Sequence, residues 1–148
     1  MCSNGIQRYR KTNVITADPK RLVLMCYEGA IDCLKLAKQN LTDNDYEGKG
    51  KNIAKARDIL CELKASLNFE KGENIARNLD SLYNYMMRRI TEYDLTQDIP
   101  AIEEVIEMLQ ELKSAWETIS YEYKSVVGSQ ISAPGVEENE EIVSYSVA

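Results

Sequence analysis

The chain contains no histidine among its 148 residues. Without an imidazole there can be no Ser-His-Asp triad and no Cys-His nucleophile pair. Di-iron helical bundles are excluded as well, because their Glu-x-x-His motifs need histidine. No Gly-rich loop leads into a Lys-Ser or Lys-Thr pair, so phosphate binding by a P-loop is also excluded. These absences remove most catalytic classes, and the sequence predicts a protein that is not an enzyme.

Cysteines are few and scattered along the chain. The four thiols at Cys2, Cys26, Cys33 and Cys61 include no C-x-x-C pair, the close spacing that is typical of zinc sites. With no histidine to help, a zinc ion would need all four thiolates from distant parts of the sequence. We therefore expect no metal and no cofactor. Cys26 and Cys33 are seven residues apart, and we expect both to be small buried side chains on one helical face.

Long apolar runs and a basic surface are also missing. No run approaches the roughly 20 residues that span a bilayer, and residues 1–14 lack the apolar core of a signal peptide. Lys and Arg number 18 against 24 Asp and Glu, which gives a net charge of −6, and no basic residue follows Lys124. We expect a cytosolic protein that neither inserts into membranes nor binds nucleic acid.

What the sequence does contain is helical periodicity. Four segments place apolar residues at steps of three and four, typical of amphipathic helices. They begin at Pro19, between residues 46 and 51, near Gly72, and just after Asp98. Their expected core stripes are Val23, Tyr27, Ala30, Leu34, Ala37 and Leu41; Ile53, Ala56, Leu60, Leu63 and Leu67; Ile75, Leu79, Leu82, Met86, Ile90 and Tyr93; and Ile102, Val105, Leu109, Leu112, Trp116 and Ile119.

Helices of about 20 residues with short links favour an all-α fold, an antiparallel up-down four-helix bundle. We place the bundle at residues 18–124, after a flexible N-terminal segment at 1–17. Glycines, Pro134 and a cluster of glutamates predict a disordered acidic tail at residues 125–148. Its last residues, Ile142 to Val147, are more apolar than a solvating tail requires. Two interpretations of that end stay open, plain disorder and a short docking segment.

Four glutamates are the remaining candidates for acid-base chemistry. Glu103, Glu104, Glu107 and Glu111 follow helical spacing in the fourth segment. Paired carboxylates can catalyse when burial shifts the pKa of one of them. These four lie off the apolar stripe, so we expect them to form a solvated face instead.

The second and third segments carry more apolar residues than one core stripe needs. Ile59 and Leu60 are adjacent, so they point about 100° apart on a helix. Tyr83, Tyr85 and Met87 widen the apolar arc of the third segment in the same way. The surplus predicts either a broad core or an exposed groove for a partner, and periodicity alone does not decide between them.

Two stretches of the chain carry a specific pattern: Tyr9 to Pro19 reads Tyr-Arg-Lys-Thr-Asn-Val-Ile-Thr-Ala-Asp-Pro, and Leu24 to Ala30 reads Leu-Met-Cys-Tyr-Glu-Gly-Ala. They resemble the opening and the Leu-Met-Leu-Tyr-Asp-Gly-Ala stretch of a known family, the flagellin-export chaperones of the FliS type. Leu109, Leu112 and Trp116 resemble its ending. The likeness extends from Tyr9 to about Trp116. The chain departs from the family pattern at Cys26, where an aliphatic residue is usual.

The resemblance implies a chaperone that binds the disordered C-terminal segment of flagellin in the cytosol. Such a protein prevents premature polymerisation and delivers flagellin to the export gate. The N-terminal segment of family members can lie in part of the groove until the partner displaces it. Together with the surplus apolar residues, the resemblance implies a partner-binding set: Tyr9, Asn13, Val14, Ala56, Ile59, Leu63, Tyr83 and Tyr85.

The main alternative is a non-catalytic helical adaptor that uses the bundle to dimerise. It predicts no affinity for a disordered helical partner, and the sequence leaves open whether the chain forms a homodimer. On the groove interpretation, Ile59 and Tyr83 are expected to lie on exposed apolar surface.

Overall fold

The computed structural model describes the backbone of residues 19–128 and the side chains of residues 19–119. This part forms four helices and no strand: α1 (Pro19–Thr42), α2 (Tyr46–Ala65), α3 (Phe69–Thr96) and α4 (Ile99–Gly128). The all-helical prediction is confirmed. α4 continues to Gly128, whereas the sequence predicted that the bundle ends at residue 124. The expected N-terminal segment at 1–17 and most of the expected tail lie outside the described residues.

The helices are arranged as a square. Each packs against the helix before and after it in the chain, and α4 returns to pack against α1. In the described part, the diagonal pairs α1–α3 and α2–α4 make no close backbone contact. Links of two or three residues leave no room for a crossover, so consecutive helices run antiparallel. The predicted up-down topology is confirmed.

The turn between α1 and α2 depends on one glycine. The Asp45 side chain caps α2 by accepting a hydrogen bond from the Gly48 amide at 2.9 Å, which satisfies a free donor of the first turn. Asn40 on α1 donates to the same carboxylate at 3.2 Å. A Cβ atom at Gly48 would lie 2.3 Å from Asp45 Oδ2. Only glycine therefore leaves room for the cap that starts α2.

The centre of the core is crossed by two tyrosines on diagonal helices. The hydroxyl oxygens of Tyr27 on α1 and Tyr83 on α3 lie 2.7 Å apart, and both side chains are buried. Burial raises the pKa of both phenols, so each stays protonated and the contact is a neutral hydrogen bond. A buried hydroxyl without a partner costs about 1–3 kcal/mol, so this pair holds α1 and α3 at a defined separation.

Two further aromatic side chains fix α1 through its backbone. The Tyr93 hydroxyl on α3 donates to the Ala37 carbonyl at 3.3 Å, and Trp116 Nε1 on α4 donates to the Lys20 carbonyl at 3.1 Å. The first contact lies near the end of α1 and the second at its start. Aromatic rings thus fill the core while their polar atoms set the position of α1 along the bundle.

Lys49 is the one buried charged residue in the described part of the chain. Its Nζ donates to the Asp94 carbonyl at 3.2 Å, lies 3.4 Å from Asp94 Oδ1, and stands 5.5 Å from the centroid of the Tyr93 ring. Carbonyls in the last turn of a helix lack intrahelical donors and carry the negative end of its dipole. Lys49 therefore ties the start of α2 to the end of α3.

α3 bends one turn after it begins. Asn68 caps its first turn through Oδ1, which accepts from the amides of Glu70 and Lys71 at 3.1 Å each. At Glu73 the backbone has φ 44° and ψ −119°, a region that side chains other than glycine rarely adopt. The bend lies beside Gly72, where the sequence predicted the start of the third helix. The short first turn can therefore point in a different direction from the long helix.

Replacing Glu73 with glycine should stabilise the protein. Strained backbone of this kind costs about 1–3 kcal/mol, while glycine adds about 0.5–1 kcal/mol of entropy cost, so the free energy of unfolding should rise by roughly 1 kcal/mol. Denaturant unfolding followed by circular dichroism measures the change. The control is Ser81→Gly at an exposed position inside α3, which should lower stability by roughly 0.5 kcal/mol. A loss of stability in Glu73→Gly would contradict the strained conformation.

Candidate partner-binding site

The core stripe of α3 is buried at only one end. Ile90 and Tyr93 are fully buried, Leu82 is half-buried, and Ile75 is 61% exposed. Gly72 and Ala76 are buried in the same turns, so the start of α3 remains covered on the side that carries them. Burial is lost on the side of the helix that carries Ile75.

α4 has the same gradient at the same end of the bundle. Ile102 and Val105 are fully buried, Leu112 is half-buried, and Ile119 is 46% exposed. The prediction that Ile75 and Ile119 belong to the core is therefore wrong. Ala76 and Trp116, close to these two residues along their helices, remain buried, so burial is lost on one side of each helix and not over its whole circumference.

The contacts between α3 and α4 place these residues on facing sides of the two helices. Tyr85 donates a hydrogen bond to Glu104 Oε1 at 2.6 Å, and Arg89 Nε donates to Glu104 Oε2 at 2.8 Å. Because the helices are antiparallel, each step back along α3 from Tyr85 matches a step forward along α4 from Glu104. In this register Ile75 is level with Ser114, and Ile119 lies about 7.5 Å further along α4. The apolar residues on the facing sides form what we call the α3–α4 groove: Ile75, Leu79, Leu82, Met108, Leu112 and Ile119.

The upper end of the groove is closed by the contacts of Glu104. The hydrogen bond from Tyr85, followed by that from Arg89, lowers the pKa of the Glu104 carboxyl, so it stays ionised at neutral pH. The same hydrogen bond raises the pKa of the Tyr85 phenol. Arg89 also pairs with Glu92 on its own helix. These polar contacts join the two helices above the groove, while no comparable contact joins them beside Ile75 within the described residues.

The floor of the groove is a well-packed core. A cavity of about 10 Å³ lies beneath it, lined by residues of all four helices: Val23, Tyr27, Leu63, Ser66, Leu79, Tyr83 and Trp116. This volume is about that of a single water-sized probe. The groove is therefore a surface feature and does not open into an internal chamber.

Four of the five sequence-predicted site residues that the structure describes lie beneath the surface. Ala56, Ile59, Leu63 and Tyr83 are at most 4% exposed. The expectation that Ile59 and Tyr83 lie on exposed apolar surface is therefore wrong. α2 packs against both α1 and α3 and so needs a broad apolar arc, which includes Ile59, and the hydroxyl pair with Tyr27 accounts for the burial of Tyr83.

Tyr85 is the exception among the predicted residues that the structure describes. It is half-buried and lies at the upper end of the α3–α4 groove. Tyr9, Asn13 and Val14 fall outside the described residues. The groove residues themselves were assigned to the core, and the sequence offered no direct signal that separates them from it.

The residues considered for chemistry have structural contacts instead. Cys26 is buried and Cys33 is half-buried. Glu103, Glu107 and Glu111 are exposed, as predicted for a solvated face, and Glu103 also pairs with Lys38 on α1 at 2.9 Å. Glu104 differs from the prediction, because it is half-buried in its contacts with α3. Within residues 19–119, no three cysteine or acidic side chains lie close enough to hold a metal ion.

A second concave surface lies between α1 and α4. This cleft has a volume of about 450 Å³ and is lined mostly by polar side chains: Glu28, Ile31, Asp32, Lys35, Gln110, Lys113, Ser114 and Glu117. Lys113 bridges it, 3.4 Å from Glu28 and 3.7 Å from Glu117. Its lining is mostly charged and polar, so it offers little apolar surface to a partner.

A helical bundle with an apolar groove at one end, and with no metal-binding cluster in its described part, has the features of a protein-binding module. Comparison with known families identifies which one. Residues 2–123 match the family described as flagellar protein FliS, so the chain belongs to the FliS family.

Several relatives carry the name flagellar secretion chaperone FliS. The protein of Salmonella typhimurium is 39% identical over 80% of this chain and 91% of its own length. That of Vibrio cholerae is 35% identical over 86% and 96%, and that of Bacillus subtilis is 32% identical over 85% and 94%. The family assignment suggested by the opening and ending motifs is confirmed. None of the described helices is long and apolar enough to cross a membrane.

The contacts of Glu104 should make stability depend on acid pH. Its pKa is lowered on folding, so its contribution is present above the ordinary carboxyl pKa and is lost as pH falls through the lower folded value. Glu104→Gln should therefore melt below wild type at pH 7, with a difference that shrinks as pH falls from about 5 to about 3.

Thermal melts across this range measure the effect, with Glu107→Gln as the matched control. Glu107 is exposed on the same helix, three residues further along. The role of the Tyr85–Glu104–Arg89 contacts would be contradicted if the melting-temperature difference between wild type and Glu104→Gln stayed constant down to pH 3. It would also be contradicted if Glu107→Gln showed the same difference.

Proposed function

We propose that the chain is a cytosolic flagellar secretion chaperone that binds the disordered C-terminal segment of flagellin. It prevents premature polymerisation of flagellin and delivers it to the flagellar export apparatus. The observation that carries this proposal is the α3–α4 groove, where Ile75 and Ile119, at core-type spacing, are exposed at the same end of the bundle. Membership of the FliS family supports the choice of partner.

The groove suits an amphipathic helix. From Ile75 to Leu82 it spans eight residues of α3, roughly 10 Å or two turns at 1.5 Å per residue. A helix that presents apolar residues at steps of three, four and seven would place them along this length. Leucine and methionine side chains adapt readily to such a partner. A disordered segment that folds as it binds would complete the missing cover of the core.

The proposal revises which residues touch the partner. Ile75, Leu79, Leu82, Leu112 and Ile119 contact it directly, and Tyr85 contacts it at the closed end of the groove. Ala56, Ile59, Leu63 and Tyr83 act from below by holding α2 and α3 in place. Roles for Tyr9, Asn13 and Val14 in covering the groove before the partner arrives remain predictions from the resemblance.

No catalysis is part of this function. The ionised groups that approach each other between helices are saturated by ion pairs and hydrogen bonds, as for Lys113 and Glu104. The alternative of a dimerising adaptor would use the same apolar groove against a second copy of the chain. Sedimentation of the free protein tests that alternative, because it requires a stable dimer without flagellin.

Charged substitutions in the groove should weaken flagellin binding without unfolding the protein. Ile75→Asp and Ile119→Asp place a carboxylate at side chains that are already 61% and 46% exposed. Each should reduce the affinity for a flagellin C-terminal peptide at least tenfold, about 1.4 kcal/mol, because the bound partner would bury the charge. Calorimetric titration measures the affinity, and circular dichroism checks the fold.

Leu95→Asp is the matched control, since Leu95 is 78% exposed at the far end of α3 from Ile75. It should bind like wild type. Ile59→Asp should instead unfold the bundle, because it buries an unpaired carboxylate. If Ile75→Asp, Ile119→Asp and Leu95→Asp all bound the peptide with wild-type affinity, the binding surface would lie outside the α3–α4 groove.

A further inference from the structure

The outer face shared by α2 and α3 carries three arginines. Lys64 on α2 donates to Asn84 Oδ1 on α3 at 2.8 Å, which fixes the two helices side by side on this face. Arg57 precedes Lys64 by seven residues, Arg77 precedes Asn84 by seven, and Arg88 follows Asn84 by four. Residues at these spacings lie on one side of a helix. The three arginines therefore share the face that the Lys64–Asn84 contact marks.

The charge of these arginines is not neutralised locally. Lys64 is balanced by Asp80 at 3.8 Å, and Arg89, on another face of α3, by Glu92 and Glu104. Arg57, Arg77 and Arg88 form no ion pair with any of the described residues. Arg88 stacks 5.8 Å from the centroid of the Tyr85 ring, a contact that keeps its charge. A chain with a net charge of −6 thus has three arginines without an ion pair on one face, with Asp80 as the acidic group that pairs with Lys64 there.

The same chain carries a segment of matching charge after α4. Glu137, Glu138, Glu140 and Glu141 fall within five residues, and no Lys or Arg follows Lys124. Residues 142–147, Ile-Val-Ser-Tyr-Ser-Val, follow the glutamates directly. This segment lies beyond residue 123, where the match to the FliS family ends, so the family function does not account for it.

The segment is long enough to reach the arginines. Gly128 lies roughly 18 Å along α4 from Trp116, which lines the same small cavity as Leu79 near the start of α3. Arg77 lies on the far side of α3 from α4, so the lateral distance is a helix-to-helix spacing of about 8–10 Å plus part of the width of α3. Combined with the roughly 18 Å along α4, this places Arg77 roughly 25 Å from Gly128. An extended chain covers about 3.3–3.6 Å per residue, so Glu137 reaches about 30 Å and Glu141 about 45 Å. Arg88 lies about 16 Å further along α3 than Arg77, which is within the roughly 45 Å that Glu141 can reach.

The geometry points to an intramolecular contact in which the acidic segment at residues 137–141 docks on the arginine face formed by Arg57, Arg77 and Arg88. Carboxylates pair well with the planar guanidinium group, which donates two parallel hydrogen bonds. Four glutamates face three arginines, so both surfaces lose most of their net charge. An acidic segment tethered to the same chain also has a high effective concentration at this face. It excludes other polyanions from the face, including nucleic acid.

Nuclear magnetic resonance relaxation on the full chain tests the docking. At about 0.01 M salt, the amides of residues 137–141 should relax like those of the folded bundle. Raising salt to about 1 M shortens the Debye length from roughly 30 Å to roughly 3 Å, and the segment should then relax like a free peptide. The double variant Arg77→Gln and Arg88→Gln should lose the slow relaxation even at low salt.

The double variant Lys35→Gln and Lys55→Gln is the matched control, because it removes the same charge from exposed positions on other faces. It should retain the docked signal. Replacing all four glutamates with glutamine leaves the bundle untouched and should release the segment, which keeps the test informative if the arginine variant folds poorly. Three outcomes would overturn the intramolecular contact. The first is fast relaxation of residues 137–141 in wild type at low salt. The second is slow relaxation that survives the arginine or glutamate changes, and the third is slow relaxation that disappears on tenfold dilution.

Discussion

The hydrogen bond between the buried hydroxyls of Tyr27 and Tyr83 sets the dimensions on which the rest of the bundle depends. Four helices in a square touch only their neighbours, so backbone packing alone leaves the diagonal distance free. The two phenols span that diagonal with 2.7 Å between their oxygens. Their rings fill the centre, and the neutral hydrogen bond between them requires this one separation. α2 and α4 are then positioned against a pair of helices whose spacing is already defined.

Two polar contacts extend this constraint along the bundle. Trp116 anchors α4 to the backbone at the start of α1, and Lys49 anchors the start of α2 to the end of α3. The Asp94 carbonyl lies in the last turn of α3, where carbonyls lack intrahelical donors. The Lys20 carbonyl lies in the first turn of α1, and a carbonyl oxygen has two lone pairs, so it can accept from Trp116 as well as from its own helix. The ends of the helices are therefore fixed by side chains whose apolar parts already belong to the core.

The sequence was a good guide to the elements and a weaker guide to the surface. Steps of three and four identify a helix and the direction of its stripe, which is why Val23, Leu60 and Leu109 lie in the core as predicted. Periodicity does not report how far the neighbouring helices extend. Ile75 and Ile119 have the spacing of core residues but lie near the level at which α2 ends. Conversely, Ile59 exceeded the apolar residues that one core stripe needs. α2 packs against both α1 and α3, so it needs a wider apolar face, and this need is visible only in the assembled bundle. Nothing in the sequence indicated the strained backbone at Glu73, because a positive φ is usually marked by a glycine and this position carries a glutamate.

The two-residue link between α3 and α4 has a mechanical consequence for the groove. Gln97 and Asp98 join the helices at one end, and the contacts of Glu104 brace them a few turns below. The groove lies beyond this brace, where Trp116 still holds α4 to α1, so α3 is the helix that behaves as a lever clamped at one end. Over the roughly 15 Å from Tyr85 back to Ile75, a tilt of about 5° moves α3 by about 1.3 Å, roughly a quarter of the helix pitch. The groove can therefore adjust its width to side chains of different size while the clamped half, with its buried tyrosines, keeps its packing.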